Sequence, residues 1–224
     1  MKATQVTDNL IQLTRLHFVN AYLVREDDGF TLIDTTLGGA AERLIDAAHN
    51  AGGEIRRIAL THGHSDHIGS LDQLKQKLGA GAEVFLGEPD ARELAGEKVL
   101  QKRRGSWPKA LATKPDTLLT GGETIGSLQV VANPGHTPGH VAFLDTRDRT
   151  VIAGDTYTSY VRLDIPNRAM QPFPLAAMGT EDRPLVLEAA RTLRALDPAL
   201  VLVGHGPAVK APAQAMDAAI ARAQ

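Results

Sequence analysis

Three imidazoles and a carboxylate fall within six positions at His62-Gly63-His64-Ser65-Asp66-His67, directly after the strand-like run Ile55 to Leu60. Side chains two apart on an extended segment face the same way, so His62 and His64 can offer ring nitrogens to one ion at about 2.0–2.1 Å. Asp66 and His67 follow where Ser65 is placed to cap a helix running to Leu78. Side chains at a helix start diverge from the preceding pair, so this second pair serves a second ion more naturally than it completes the first. Taken alone, such a cluster is as readily a solvated polar loop as a ligand set. The rest of the chain shifts that balance. His136 lies in Asn133-Pro134-Gly135-His136-Thr137-Pro138-Gly139-His140, Asp155 in Ile152-Ala153-Gly154-Asp155, and His205 in Val203-Gly204-His205-Gly206-Pro207. Each sits where an apolar run meets a glycine-rich turn, the kind of place where a rigid sheet edge delivers a ligand and the backbone can approach an ion. Five of the eight histidines fit one site.

With the run at 62–67, the later His136, the Gly154-Asp155 and Gly204-His205 pairs, and Asp34 closing the strand Phe30 to Ile33, the chain resembles the metallo-β-lactamase-fold hydrolases. That family includes glyoxalase II, N-acyl-homoserine lactonases and ribonuclease Z relatives, and the resemblance covers nearly the whole length. It implies that His62, His64 and His136 hold one metal, that Asp66, His67 and His205 hold the other, and that Asp155 bridges them. Two divalent ions, two carboxylates and a hydroxide leave a net charge of about +1, tolerable in a partly buried site. Imidazole ligands suit zinc first, with iron, manganese or cobalt also compatible. Asp34 reads equally as an outer partner that orients a ligand histidine and as a turn former before Gly38-Gly39. His140 is expected to pack at the start of a strand, Val141 to Leu144, and His17 and His49 to be ordinary surface or strand-end residues.

A chain of 224 residues can bury a large core within one domain. Its 24 basic and 26 acidic residues give a formal charge of −2 and no reason to expect nucleic acid or an anionic membrane as partner. The absence of cysteine rules out a disulfide scaffold and thiolate ligation, so nitrogen and oxygen must hold any metal. Met1 to Val6 opens no apolar signal-peptide core and no later run is long enough to span a bilayer, so the cytoplasm is the expected location.

The elements that position these groups read as strands at Asn9 to Leu16, Val19 to Arg25 and Phe30 to Thr35, with Asp28-Gly29 turning between the last two. A helix from Ala40 to Ala51 carries Ala41, Leu44, Ile45 and Ala48 at helical spacing and stops at Gly52-Gly53. Strand Ile55 to Leu60, helix Asp66 to Leu78, strand Glu83 to Leu86 and helix Ala91 to Arg104 follow. Then come strands at Thr117 to Leu119, Thr124 to Ala132, Val141 to Asp145 and Thr150 to Ala153, a helix Glu181 to Leu196, a strand Leu200 to Val203 and a helix Ala211 to Ala223. Spacing alone gives an α/β chain with two β-rich halves. The resemblance sharpens this to one domain over 1–224 with the αββα fold, a four-layer sandwich of two mixed β-sheets with helices on the outer faces.

Two segments, 88–116 and 157–180, stand outside that frame as expected lids. Trp107, Tyr157, Tyr160 and Phe173 would form an apolar wall there, with Arg162 or Arg168 steering an anionic group. The basic run Lys98, Lys102, Arg103, Arg104, Lys109 and Lys114 is more simply a solvated helix face. The aromatic-rich lid fits either an apolar part of a small-molecule substrate or a subunit contact, which leaves a homodimer open.

The expected reaction is hydrolysis of a small ester, lactone or thioester by attack of a metal-bridging hydroxide on a carbonyl polarised by one ion. Asp66 is expected to accept a proton during turnover, and Tyr157 or Tyr160 to donate a hydrogen bond to the oxyanion. No Gly-x-Ser-x-Gly elbow supplies a serine nucleophile. Glyoxalase II-like chains carry a Gly-Cys-Gly-Arg-type segment after the bridging Asp and a helical domain that grips glutathione; here Thr156-Tyr157 follows Asp155, and nineteen residues follow His205. True β-lactamases lack this Asp or use a cysteine ligand. A mononuclear iron dioxygenase of the persulfide dioxygenase type, built on His62, His136 and Asp155, is one alternative, and a phosphodiesterase on the same fold is another. A non-catalytic binding domain is the weakest reading, because no ligand position is lost.

Overall fold

The computed structural model describes residues 1–168 and 174–224. Seven strands form the first sheet in sequence order: β1 (Lys2–Thr7), β2 (Leu10–Arg15), β3 (Val19–Glu26), β4 (Gly29–Ile33), β5 (Ile55–Ala59), β6 (Glu83–Gly87) and β7 (Thr117–Leu119). The first four pair antiparallel, and β4 to β7 pair parallel. Parallel neighbours need crossovers, and these carry α1 (Ala41–Asn50), α2 (Ser65–Ile68), α3 (Leu71–Leu78) and α4 (Glu88–Leu94).

The second sheet contains β8 (Thr124–Ile125), β9 (Leu128–Ala132), β10 (Val141–Asp145), β11 (Thr150–Ile152), β12 (Leu200–Leu202) and β13 (Val209–Lys210), in the spatial order β13-β12-β11-β10-β9-β8. Only the β11–β12 pair is parallel. Short helix α5 (Pro174–Gly179), then α6 (Arg183–Ala195) and α7 (Ala213–Ala223), with 3-10 turns at Gly79–Gly81 and Gly154–Thr156, complete the described elements.

Strand alternation explains why two sheets stack. Along β3, Tyr22 and Val24 face one way and Ala21 and Leu23 the other, and all four are buried. Tyr22 and Val24 meet Val141, Phe143, Ile152 and Leu202 of the second sheet to make the central layer. Ala21, Leu23 and Leu32 pack under Leu44 and Ala48 of α1 and Leu71 and Leu74 of α3. On the far side, Ala142, Val151 and Val201 lie against Val186, Ala190 and Leu193 of α6 and Met216 and Ala219 of α7. Asp182 caps α6 by accepting from Leu185 N at 2.9 Å. Three apolar layers between four structural ones make the αββα sandwich, and a truncation such as Leu44→Ala would remove about 2–5 kcal/mol.

Several elements differ from the sequence reading. The helix expected over 66–78 breaks at Gly69-Ser70, because this turn is bonded to the loop after β4. Gly69 N donates to Thr36 O, and Ser70 Oγ donates to Leu37 O at 2.7 Å. A methyl on Gly69 would lie 2.6 Å from Gly38 N. The helix expected over 91–104 ends at Leu94, where Gly96 takes φ +90° and Lys98 φ +52°. There the buried Glu93 carboxylate accepts from Leu100 N at 2.9 Å and pairs with Arg103, folding the basic run into a loop instead of a helix face. The strand expected over 124–132 is the β8–β9 hairpin, turned at Gly126 with φ +58°. β1, β13 and α5 were not expected; β1 is exposed along most of its length, so it lacks the apolar alternation that marks a strand.

Candidate metal centre

The ends of β4, β5, β11 and β12 and the β9–β10 connection converge at one edge of the sandwich. β5 leads into His62 and His64, α2 carries Asp66 and His67, and the β9–β10 loop carries His136. Asp155 and His205 follow β11 and β12, which run parallel and deliver them to the same end. All seven expected ligands come together, grouped as His62–His64–His136, His62–His67–Asp155 and Asp66–His67–His205, with ligand atoms in each group within 4.8 Å of one another.

The partners of each ring fix which nitrogen is bare. Thr61 Oγ1 donates to Asp34 Oδ2, so its lone pairs accept from His62 Nδ1 at 3.0 Å and leave His62 Nε2 free of a proton. His64 Nε2 donates to Arg104 O at 3.2 Å, leaving Nδ1. Thr180 Oγ1 donates to backbone carbonyls and accepts from His136 Nδ1 at 3.1 Å, leaving Nε2. The bare atoms are the ones that face each other: His62 Nε2 and His136 Nε2 each lie 3.1 Å from His64 Nδ1. Three lone pairs cannot hydrogen-bond among themselves, and a cation is what satisfies them. Burial holds His62 and His136 well below the usual histidine range and His64 down to about 4, so all three are neutral at pH 7.

The other half carries the negative charge. Asp155 lies 3.1 Å from His205 Nε2, 3.5 Å from His67 Nε2 and 3.5 Å from His136 Nε2, between the two groups. Asp66 lies 3.4 Å from His205 Nε2. Burial by itself would lower His67 and His205, but Asp155, Asp34 and Asp66 around His67, and Asp155 and Asp66 around His205, push them up to about 9 and about 10. The reciprocal effect outweighs burial of the carboxyls: His67 and His205 hold Asp66, and His205, His67 and His136 hold Asp155, well below the usual carboxylate range. Protonated imidazoles thus supply the positive charge that divalent ions can replace. His67 Nε2 and Asp155 Oδ1 are buried without a hydrogen-bond partner, which fits ions held by this nitrogen and oxygen set.

The supporting shell decides between the two readings of Asp34. It is buried at φ +60° and accepts three bonds at 2.8 Å, from Thr61 N, Thr61 Oγ1 and His67 Nδ1. It orients His67 as well as the turn. His140 does more than pack: Nδ1 donates to Asn133 O and Nε2 accepts from Asp155 N, each at 3.1 Å. Asp90, absent from the sequence reading, ties the two ligand loops together. Its carboxylate accepts from Gly63 N at 2.8 Å, Thr137 Oγ1 at 2.6 Å and Gly139 N at 2.7 Å. Burial raises it to about 6 against those three bonds, so it is mainly ionised at pH 7. No local pattern marks it; it becomes visible only where Gly87 and Gly139 bring two backbones so close that a methyl on Gly87 would collide with Gly139 O.

Other expectations are corrected. Tyr157 is buried against α6 with its hydroxyl donating to Ala190 O at 2.8 Å, because its side chain points into the outer core layer and not toward the ligands. Tyr160 lines a groove with His17, Asn20 and Pro207. The Tyr157 phenol does not reach the site. Trp107 lies beneath His64, with ring centroids 5.1 Å apart, and against Gly63, so it props the ligand loop where a lid was expected. Arg162 pairs with Asp164 at 2.9 Å, which removes it as a steering group. Phe173 lies outside the described residues. The opening over the ligands is a cavity of about 460 Å³ lined by His64, Asp66, His136, Asp155 and His205 together with the apolar Phe18, Leu37, Leu175 and Met178.

A family model described as the metallo-beta-lactamase superfamily matches residues 14–205. The chain belongs to that superfamily. A relative in Bacillus subtilis (strain 168), the uncharacterised protein YobT, is 40% identical over 212 residues, 92% of this chain and 91% of its own. The hydroxyacylglutathione hydrolase GloC of Haemophilus influenzae is 32% identical over 142 residues, 61% of this chain and 65% of its own. Among solved structures, TTHA1623 in a di-iron-bound form matches with a TM-score of 0.67 at 29% identity, covering 91% of this chain and 95% of that one. The B3 metallo-beta-lactamase BLEG-1 matches with a TM-score of 0.70 at 27% identity, covering 93% and 96%. Superfamily membership and the His/Asp cluster together make this a metal-dependent hydrolase-like protein. Among the described residues no helix is long and apolar enough to cross a membrane.

Proposed function

We propose that the protein is a binuclear metal-dependent hydrolase of a small ester, lactone or thioester. The observation that carries this reading is the set of bare, mutually facing nitrogens on His62, His64 and His136, separated by Asp155 from the orphaned His67 Nε2. His62, His64 and His136 would hold one ion, Asp66, His67 and His205 the other, with Asp155 shared. Divalent ions bound there supply Lewis acidity toward a carbonyl and lower the pKa of water toward neutrality.

The chain's own residues hold and neutralise. His64 hangs from the Arg104 carbonyl, His205 Nδ1 donates to Phe18 O at 3.0 Å, and Asp34 holds His67, so each ring keeps one orientation through turnover. Asp66 lines the cavity, and a carboxylate engaged by an ion and by His205 has little capacity left to accept a proton. Its part is to hold an ion and His205. The apolar residues of the cavity lining would exclude water from the bound substrate.

Zinc is our first candidate metal; the di-iron form of TTHA1623 makes iron the second. The substrate partner is a small molecule, and nothing in the charge balance calls for nucleic acid or an anionic membrane. Elemental mass spectrometry on protein purified without chelator tests the centre, and a panel of esters, lactones and thioesters tests the reaction. Two ions per chain with chelator-sensitive turnover on the panel is the expected result. One iron with oxygen uptake and no hydrolysis would overturn it in favour of the dioxygenase.

A further inference from the structure

The cavity over the ligands has an apolar part to which the hydrolase reading gives only the exclusion of water. Phe18, Leu37, Leu175, Ala176 and Met178 form it. Leu175 and Met178 are 60% and 62% exposed, large apolar side chains standing in solvent at the mouth of the site. Apolar surface of this kind gains free energy when a ligand displaces its water, and a methionine thioether adapts to ligands of different shape. No lysine or arginine is among the described residues that line the cavity.

Two guanidinium groups of the adjoining segments are engaged by the chain itself: Arg15 donates to Leu37 O, and Arg103 pairs with Glu93. On the ligand side the carboxylates of Asp66 and Asp155 already engage His205 at 3.4 and 3.1 Å. A substrate bringing its own carboxylates to this wall would find no counter-charge and no fork of donors there.

Resting on the hydrolase reading above, we infer that the substrate lays an uncharged acyl or alkyl chain along the wall formed by Phe18, Leu37, Leu175, Ala176 and Met178, and that peptide-like thiol esters bearing carboxylates are poor substrates. The test uses the full-length, metal-loaded protein and acetyl, butyryl and hexanoyl thioesters, each made on a neutral thiol and on a peptide thiol with two carboxylates. A hydrolysis-resistant hexanoyl amide is titrated calorimetrically in parallel with its acetyl counterpart.

Expected are a kcat/KM that rises roughly two- to fourfold per added methylene, the range for partial to full burial of a CH₂, a preference for the neutral thiol, and tighter binding of the hexanoyl than the acetyl amide with a negative heat-capacity change. Met178→Lys, at an exposed position that leaves folding intact, flattens the series. A flat series, or preference for the carboxylate-bearing thiol, overturns the inference while hydrolysis itself stands. No hydrolysis of any ester, with amide binding still dependent on chain length, overturns the hydrolase reading and leaves the apolar site standing. If Met178→Lys changes neither series but turns a dimer into a monomer, the patch is a subunit contact and the inference falls.

Discussion

Replacing Asp34 with Asn separates orientation from packing at this centre. Asn tolerates the left-handed backbone at φ +60° at least as well as Asp, so the turn survives. The carboxylate accepts three bonds at 2.8 Å, and an amide can accept on one side only. If the amide oxygen keeps Thr61 N, the amide nitrogen faces Thr61 Oγ1, which can accept, and His67 Nδ1. His67 must then present a lone pair at Nδ1 and carry its proton on Nε2, the orphaned atom 3.5 Å from Asp155. A protonated Nε2 cannot ligate. The opposite amide orientation sets a donor against Thr61 N–H and forfeits a charge-assisted bond worth about 1.5–3 kcal/mol. Loss of such an outer partner typically weakens metal affinity 10–100-fold, or about 1.4–2.8 kcal/mol. Competition with a chromogenic chelator should therefore show the ion on Asp66, His67 and His205 bound 10–100-fold more weakly, and the ion on His62, His64 and His136 weakened as well, because a Thr61 hydroxyl that accepts from the amide turns its own proton toward His62 Nδ1. Wild-type affinity for both ions in Asp34→Asn would refute the orientation argument.

Tyr157→Phe should leave turnover unchanged and lower stability by about 1 kcal/mol, the net value of its bond to Ala190 O, read from urea denaturation; a tenfold loss of kcat would return the phenol to the mechanism. His67 and His205 sit at about 9 and about 10, above an unfolded value of about 6.5, so the stability they lend the ion-free protein is complete below about pH 6.5 and is lost as pH rises through 9 to 10. Ion binding at pH 7 must displace both protons, and calorimetry in buffers of differing ionisation enthalpy should count about two released per chain; none released would show that the carboxylates do not hold these rings charged. Gly204→Ala would drive a methyl against the Asp155 carboxylate and to 2.7 Å from His67 Cε1, so elemental analysis should find fewer ions per chain in a protein that still folds. Full ion content in that variant would mean the two ligands have slack to move.

The chemistry was legible in the sequence wherever it depended on close neighbours. His62 and His64 share a side because two residues of extended chain turn a side chain full circle, and the glycine-flanked ligands followed from strand ends that periodicity locates. The alternation in β3 that builds two core layers is equally local. What tertiary structure decided lies across long separations. Asp90 reaches Gly63 across 27 positions and Gly139 across 49, and no spacing rule marks it apart from any acidic residue near a helix start. Glu93 dissolves the expected helix beyond Leu94 by bonding residues seven and ten positions on, against a pattern that reads as helical. Tyr157 stands two residues from a ligand yet turns into the far core layer, because the 3-10 turn Gly154–Thr156 interrupts the strand alternation that would have put the two side chains on one face. Local pattern is enough to show which residue types can bind an ion and which family the fold follows; packing at long range sets which of their neighbours hold them, since the placement of a side chain beneath a ligand depends on the whole sheet and not on its own segment.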